Sequence, residues 1–146
     1  MREIVIDTET TGLDPAGGHR VIELGCVELG NGISSGLTWH SYFNPERSVP
    51  QEAIAIHGLT EQALAAAPLF KDKAAEFLDF IAHDRLIAHN APFDSAFLNA
   101  ELKRAGHSLL GASKWLDTMD LARVKLPGKA TTGASDGLQW PSRPRS

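Results

Sequence analysis

Apolar positions along this chain repeat in two ways, and the change from one to the other sets the order of the elements. Ile4, Val5 and Ile6 form an unbroken β-branched run, as expected of a strand buried on both faces. Val21 to Leu29 alternates. Gly30-Asn31-Gly32 is a turn signal, and a third run from Leu37 to Phe43 ends at Asn44-Pro45. Three successive strands with short connections predict an antiparallel meander. The period then lengthens. Thr60 is placed to cap a short helix through Ala66, stopped by Pro68. Phe70, Ala74, Phe77, Leu78 and Ile81 stand at helical spacing. Leu86-Ile87-Ala88 reads as a short buried strand. Pro92 opens another helix, with Phe93, Phe97, Leu98 and Leu102 as its stripe and Gly106 as its stop. Trp115-Leu116 leads into an amphipathic segment from Thr118 to Leu126, broken by Pro127-Gly128. The pattern predicts one α/β domain over residues 1–128. Residues 129–146 have no apolar period, are rich in Thr, Gly, Ser, Pro and Arg, and read as a disordered tail.

Composition narrows the class. The chain has 146 residues, 42% of them apolar and 22% charged, which is ordinary for a soluble globular domain with a real core. Its net charge of −4 is unlike that of a protein gripping nucleic acid by bulk electrostatics. If nucleic acid is the substrate, a cation or a partner must supply the attraction. The single cysteine, Cys26, excludes an internal disulfide and fits a reducing cytoplasm. No apolar stretch is long enough to span a membrane, and no signal peptide is expected.

The chemistry begins at the end of the first strand, in Asp7-Thr8-Glu9-Thr10-Thr11-Gly12. Side chains alternate along a strand, so Asp7 and Glu9 point to one side. Two carboxylates so placed repel unless a cation lies between them, and oxygen-only ligands suit Mg²⁺ or Mn²⁺ rather than Zn²⁺. A simpler reading makes Asp7 a turn former. A calcium-loop reading fails, because its twelfth position would be Gly18 where a bidentate Glu is required. After the strand ending at Ala88 come His89-Asn90-Ala91-Pro92-Phe93-Asp94. Asp94 falls in the first helical turn, where it either complements the helix dipole or faces Asp7 and Glu9 across the sheet edge. Asn90 reads most simply as the helix N-cap.

Five blocks together carry a resemblance: Ile4 to Leu13, Val21 to Gly25, Ile56 to Thr60, His89 to Asp94, and Asp117-Thr118. In order and spacing they resemble the DnaQ-like group of DEDD 3′→5′ exonucleases, the proofreading family of bacterial DNA polymerase III. The resemblance covers Met1 to about Gly128. It implies a ribonuclease H-like mixed sheet, three antiparallel strands plus parallel ones, flanked by helices. It implies two Mg²⁺ or Mn²⁺ ions, a DNA 3′ end as substrate, and the polymerase's catalytic (alpha) and theta-like subunits as partners. Asp7, Glu9 and Asp94 match the catalytic and metal-binding carboxylates. Asp7, Glu9, Thr10, Thr11, Gly12, His57, Gly58, Leu59 and Asn90 match the segments that meet the terminal nucleotide. Asp117 matches an acidic residue near the site.

The resemblance breaks late. The family carries a histidine, then an aspartate some five residues on, in a late helix. This sequence has no histidine after His107, and Asp136 is the only acidic residue beyond residue 128. The chain thus reads as a truncated or frameshifted copy lacking the last helices, with one face of the sheet left bare and activity impaired. Two other readings stay open: another DEDD nuclease, resembling RNase T or oligoribonuclease, or a noncatalytic polymerase-binding remnant.

Overall fold

A computed structural model describes residues 1–118. The amphipathic segment expected from Thr118 to Leu126 lies, apart from Thr118 itself, outside the described residues, as does the expected tail. Among the described residues five strands form one sheet in the order β3-β2-β1-β4-β5. They are β1 (Arg2–Thr10), β2 (Val21–Gly30), β3 (Ile33–Tyr42), β4 (Arg85–Ala88) and β5 (Trp115–Asp117). The first three pair antiparallel, whereas β4 joins β1 and β5 joins β4 in parallel. The expected mixed sheet is therefore present. β3 begins earlier than its apolar pattern, because Ile33 and Ser34 pair with Gly30 and Leu29 of β2 while remaining exposed.

Among the described residues four α-helices accompany the sheet: α1 (Gln51–His57), α2 (Glu61–Leu64), α3 (Phe70–Ile81) and α4 (Ala91–Arg104). α3 and α4 cover the face that carries Ile4, Ile6, Leu24, Cys26 and Leu86. Phe70, Phe77, Ile81, Phe97, Leu98 and Leu102 come from those helices into one core. Each such side chain contributes about 1.5–3 kcal/mol when fully buried, so this layer dominates the fold. Burial pushes the Cys26 thiol far up, in keeping with an inert core residue. α1 and α2 close a second cluster around Ile22, Val49, Leu59 and Leu64. The opposite sheet face carries Val5, Val27, Leu29 and Ile87, all at most 4% exposed. The bare apolar face expected from the sequence is therefore not found among the described residues. No described helix is long and apolar enough to cross a membrane.

Candidate functional site

The alternation of β1 sorts its last residues. Asp7 and Glu9 share the face of Val5 and are half-buried, while Thr8 points with Ile4 and Ile6 toward α4. β4 runs parallel to β1 with Val5 opposite Ile87, so both strands end at the same edge, and α4 starts just beyond. Asp94, 8% exposed in the first turn of α4, accepts a 2.5 Å hydrogen bond from Thr8 Oγ1. The structure thus brings Asp7, Glu9 and Asp94 to one edge but seats Asp94 against Thr8, on the helix side of the strand. Among the described residues no three His, Cys, Asp or Glu side chains converge closely enough to hold a metal ion. The donors present are carboxylate oxygens, which fit a hard divalent ion in kind, but the described residues fall short in number. Asn90 occupies the N-cap position of α4 without a side-chain capping bond, so the α4 amides gain nothing from its amide group. Asp117 stands opposite Ala88 on β5, two strands from β1.

Past Glu9 the β1–β2 register slips at Thr10, a bulge that turns the chain out of the sheet. The turn is tightly tied. Thr10 Oγ1 donates to the Gly12 carbonyl at 2.6 Å. The Thr11 amide donates to the Arg20 carbonyl, and the Arg20 amide donates to Thr11 Oγ1, both at 2.9 Å. Thr11 Oγ1 also lies 2.9 Å from His19 Nδ1. A Cβ on Gly12 would stand 2.5 Å from that imidazole, which explains the glycine. Gly12→Ala is therefore expected to displace His19 and break its bond to Thr11, costing about 1–3 kcal/mol as overpacking does. Thermal unfolding of the variant checks this.

His57 fixes α1 to this turn. The Leu59 amide donates to Nδ1 at 3.0 Å, so the neutral ring carries its proton on Nε2, which faces the Thr10 carbonyl at 3.2 Å. Gly58, at φ 72°, ends α1, and Leu59 is fully buried. These two therefore act in the framework, whereas His57 also borders the cleft. That cleft, of about 470 Å³, is lined by Thr8–Leu13 and by Ala53, Ile56 and His57 of α1, with Phe93 also in its wall. Sequence reasoning missed His19, Ile56 and Phe93 as lining residues, and α1 with them. The signals for α1 were Pro50 before it and Gly58 after it. Beside His19, Arg20 forms a two-pronged ion pair with Glu101 of α4, at 2.8 and 2.7 Å. Glu101 is 1% exposed and also accepts from the Val21 amide at 3.0 Å. Its hydrogen bonds hold the Arg20 guanidinium above its ordinary pKa. The pair fastens α4, and with it Asp94, to the start of β2.

Comparison with known proteins gives the family and the fold. A family model described as Exonuclease matches residues 4–139. The chain is 50% identical over 131 residues to the DNA polymerase III subunit epsilon of Rickettsia felis, covering 88% of this chain and 57% of that protein. It is 42% identical over 134 residues to the subunit of the same name from Haemophilus influenzae, covering 88% and 52%. The chain thus spans a little over half the length of these relatives. Among solved structures it resembles E. coli exonuclease I. The metal-free form with single-stranded DNA gives a TM-score of 0.73 at 18% identity, over 84% of this chain and 29% of that one. The zinc-bound form gives 0.74 at 19% identity, over the same shares. These likenesses show a shared fold.

Proposed function

We propose, for a chain that belongs to the exonuclease family, that it holds the 3′ end of a DNA strand for hydrolysis of the terminal phosphodiester. The carrying observation is that Glu9, one member of the acidic pair, lines a cleft whose remaining walls are largely apolar. Its volume lies within the range of roughly 300–1,000 Å³ usual for small-molecule sites. Leu13, Ala53, Ile56 and Phe93 offer surfaces for a base, which places the sugar-phosphate at the acidic end. Phosphate and carboxylates repel, so the pairing requires a cation. Asp7 and Glu9 would hold a Mg²⁺ or Mn²⁺ ion, with Asp94 braced by Thr8 beside them. Such an ion, when bound, supplies an activated water and offsets the phosphate charge. The chain's own contribution is positional. The tied turn from Thr10 to Gly12 brings backbone close to the ligand, and His57 keeps α1 at a fixed distance from it. Both nitrogens of His57 are engaged, so it is not placed to take a proton from water. The relatives are named as subunits of DNA polymerase III, and we extend the proposal to assembly with a polymerase III, its catalytic and theta-like subunits being the partners that the sequence resemblance implies.

The test is recognition of an end. Fluorescence anisotropy with a 5′-labelled single strand and Mn²⁺ is expected to show binding that linear DNA displaces and a circular single strand does not. Glu9→Ala is expected to weaken it by about tenfold or more, the scale for loss of groups serving a metal site. Equal competition by the circle would overturn end recognition.

A further inference from the structure

The chain carries a net charge of −4, yet a second cavity, apart from the acidic cleft, brings three cations together, and the function proposed above does not use it. Its volume is about 170 Å³, and its charged lining is Arg20, Lys71 and Arg104 against Glu46 and Glu101. The two carboxylates differ. Glu101 is 1% exposed, and its oxygens accept from Nη2 and Nε of Arg20 and from the Val21 amide, at 2.7, 2.8 and 3.0 Å. It is therefore fully engaged within the fold. Glu46 is exposed and close enough for its charge to act on Arg20. The cations have capacity left. Nη1 of Arg20 takes part in neither bond to Glu101. Arg104 Nη1 lies 3.9 Å from Glu101, beyond hydrogen-bond reach, and that side chain is 40% exposed. Lys71 is exposed and forms no ion pair among the described residues. It stands in the first turn of α3, where the helix dipole disfavours a cation, so the helix itself gives no reason for it.

Two connections tie this cavity to the cleft. Phe93 stands in the wall of the cleft and Arg104 in the wall of the cavity, both on α4. Their separation along the helix is roughly 16 Å at 1.5 Å per residue. Arg20 also follows directly on His19, which lines the cleft. A strand whose 3′ nucleotide lies in the cleft therefore reaches the cavity within a few nucleotides. We propose that Arg20, Lys71 and Arg104 form a subsite for a backbone phosphate of the bound strand, upstream of its 3′ nucleotide. This rests on the reading of the cleft as a site for a DNA 3′ end. The subsite supplies, at one place, an attraction that the net charge of the chain opposes. It positions the strand without reading its sequence, as phosphate contacts do. Glu101 holds the Arg20 guanidinium in place beforehand, so little freedom is lost there on binding.

The salt dependence of binding by the full chain tests the subsite. The probe is a 5′-labelled single strand of about twelve nucleotides, within the usual span of single-strand sites, followed by fluorescence anisotropy at fixed Mn²⁺ over a series of salt concentrations. Lys71→Ala and Arg104→Ala are each expected to reduce the slope of log affinity against log salt by about 0.7, the value of one contact to a single-strand phosphate. Both side chains are exposed, so both variants are expected to fold as the unaltered chain does. Lys103→Ala removes the same charge from a neighbouring exposed residue that does not line the cavity, and is expected to leave the slope as it is. An unchanged slope in either Lys71→Ala or Arg104→Ala overturns the proposal. An equal reduction in Lys103→Ala would mean diffuse attraction and overturns it too. Equal competition by circular and linear strands against the unaltered chain would instead overturn the reading of the cleft beneath it.

Discussion

Arg20→Ala is expected to destabilise the protein by about 3–5 kcal/mol, the usual cost of removing one partner from a buried ion pair. Glu101 is 1% exposed, and Arg20 meets both of its oxygens. Arg104 lies 3.9 Å from Glu101 and is partly exposed, so it replaces little of what is lost. Without Arg20 the carboxylate is left charged in a low-dielectric interior. The loss would consume a large part of the roughly 5–15 kcal/mol that holds a typical domain together. Adding Glu101→Gln to Arg20→Ala is expected to recover part of it, because a neutral amide oxygen still accepts from the Val21 amide. Urea denaturation of the three proteins checks both points. A loss under about 1 kcal/mol in Arg20→Ala would show the pair to behave as an exposed one.

Hydrolysis by this chain is expected to be about 10²- to 10⁴-fold slower than by the Rickettsia felis relative assayed alongside it, the usual cost when no general base is in place, because the histidines that flank the site among the described residues are engaged within the fold. The sequence has six histidines, the last at residue 107. His19 is bonded to Thr11, His40 to Glu23, and His57 to Leu59 and the Thr10 carbonyl. Release of the 3′-terminal nucleotide from an end-labelled, mispaired primer in Mn²⁺ measures the rate. Release at the relative's rate would contradict the expectation. Loss of that release in an alanine variant of His107, Asp136 or His89 would then identify the residue doing the work.

Much of this was legible in the sequence, for reasons that differ by element. The Ile4-Val5-Ile6 run and the stripes of α3 and α4 are strong patterns, because each is built from large apolar side chains at one period. α1 was not legible. Four of its seven residues, Ala53 to Ile56, alternate alanine and isoleucine without a wide apolar stripe, and its place depends on the tertiary bond between His57 and the Thr10 carbonyl and on the Leu59 amide that sets the His57 ring. The pairing of Asp7 with Glu9 followed from strand alternation alone. The same alternation sends Thr8 toward a helix, but only the fold says that Asp94 meets it there. Glu23 and His40 read as ordinary polar residues in alternating strands, and their adjacency comes from register across three strands.

On the proposed function, the cleft beside Asp7 and Glu9 receives a 3′-terminal nucleotide with a divalent ion. The most direct measurement is a crystal structure of this chain soaked in Mn²⁺ and thymidine 5′-monophosphate. Anomalous density for Mn²⁺ is expected against the carboxylates of Asp7 and Glu9, with the base lying between the Thr10–Gly12 turn and α1. Nucleotide bound elsewhere, or a cleft that stays empty of metal at saturating Mn²⁺, would contradict it.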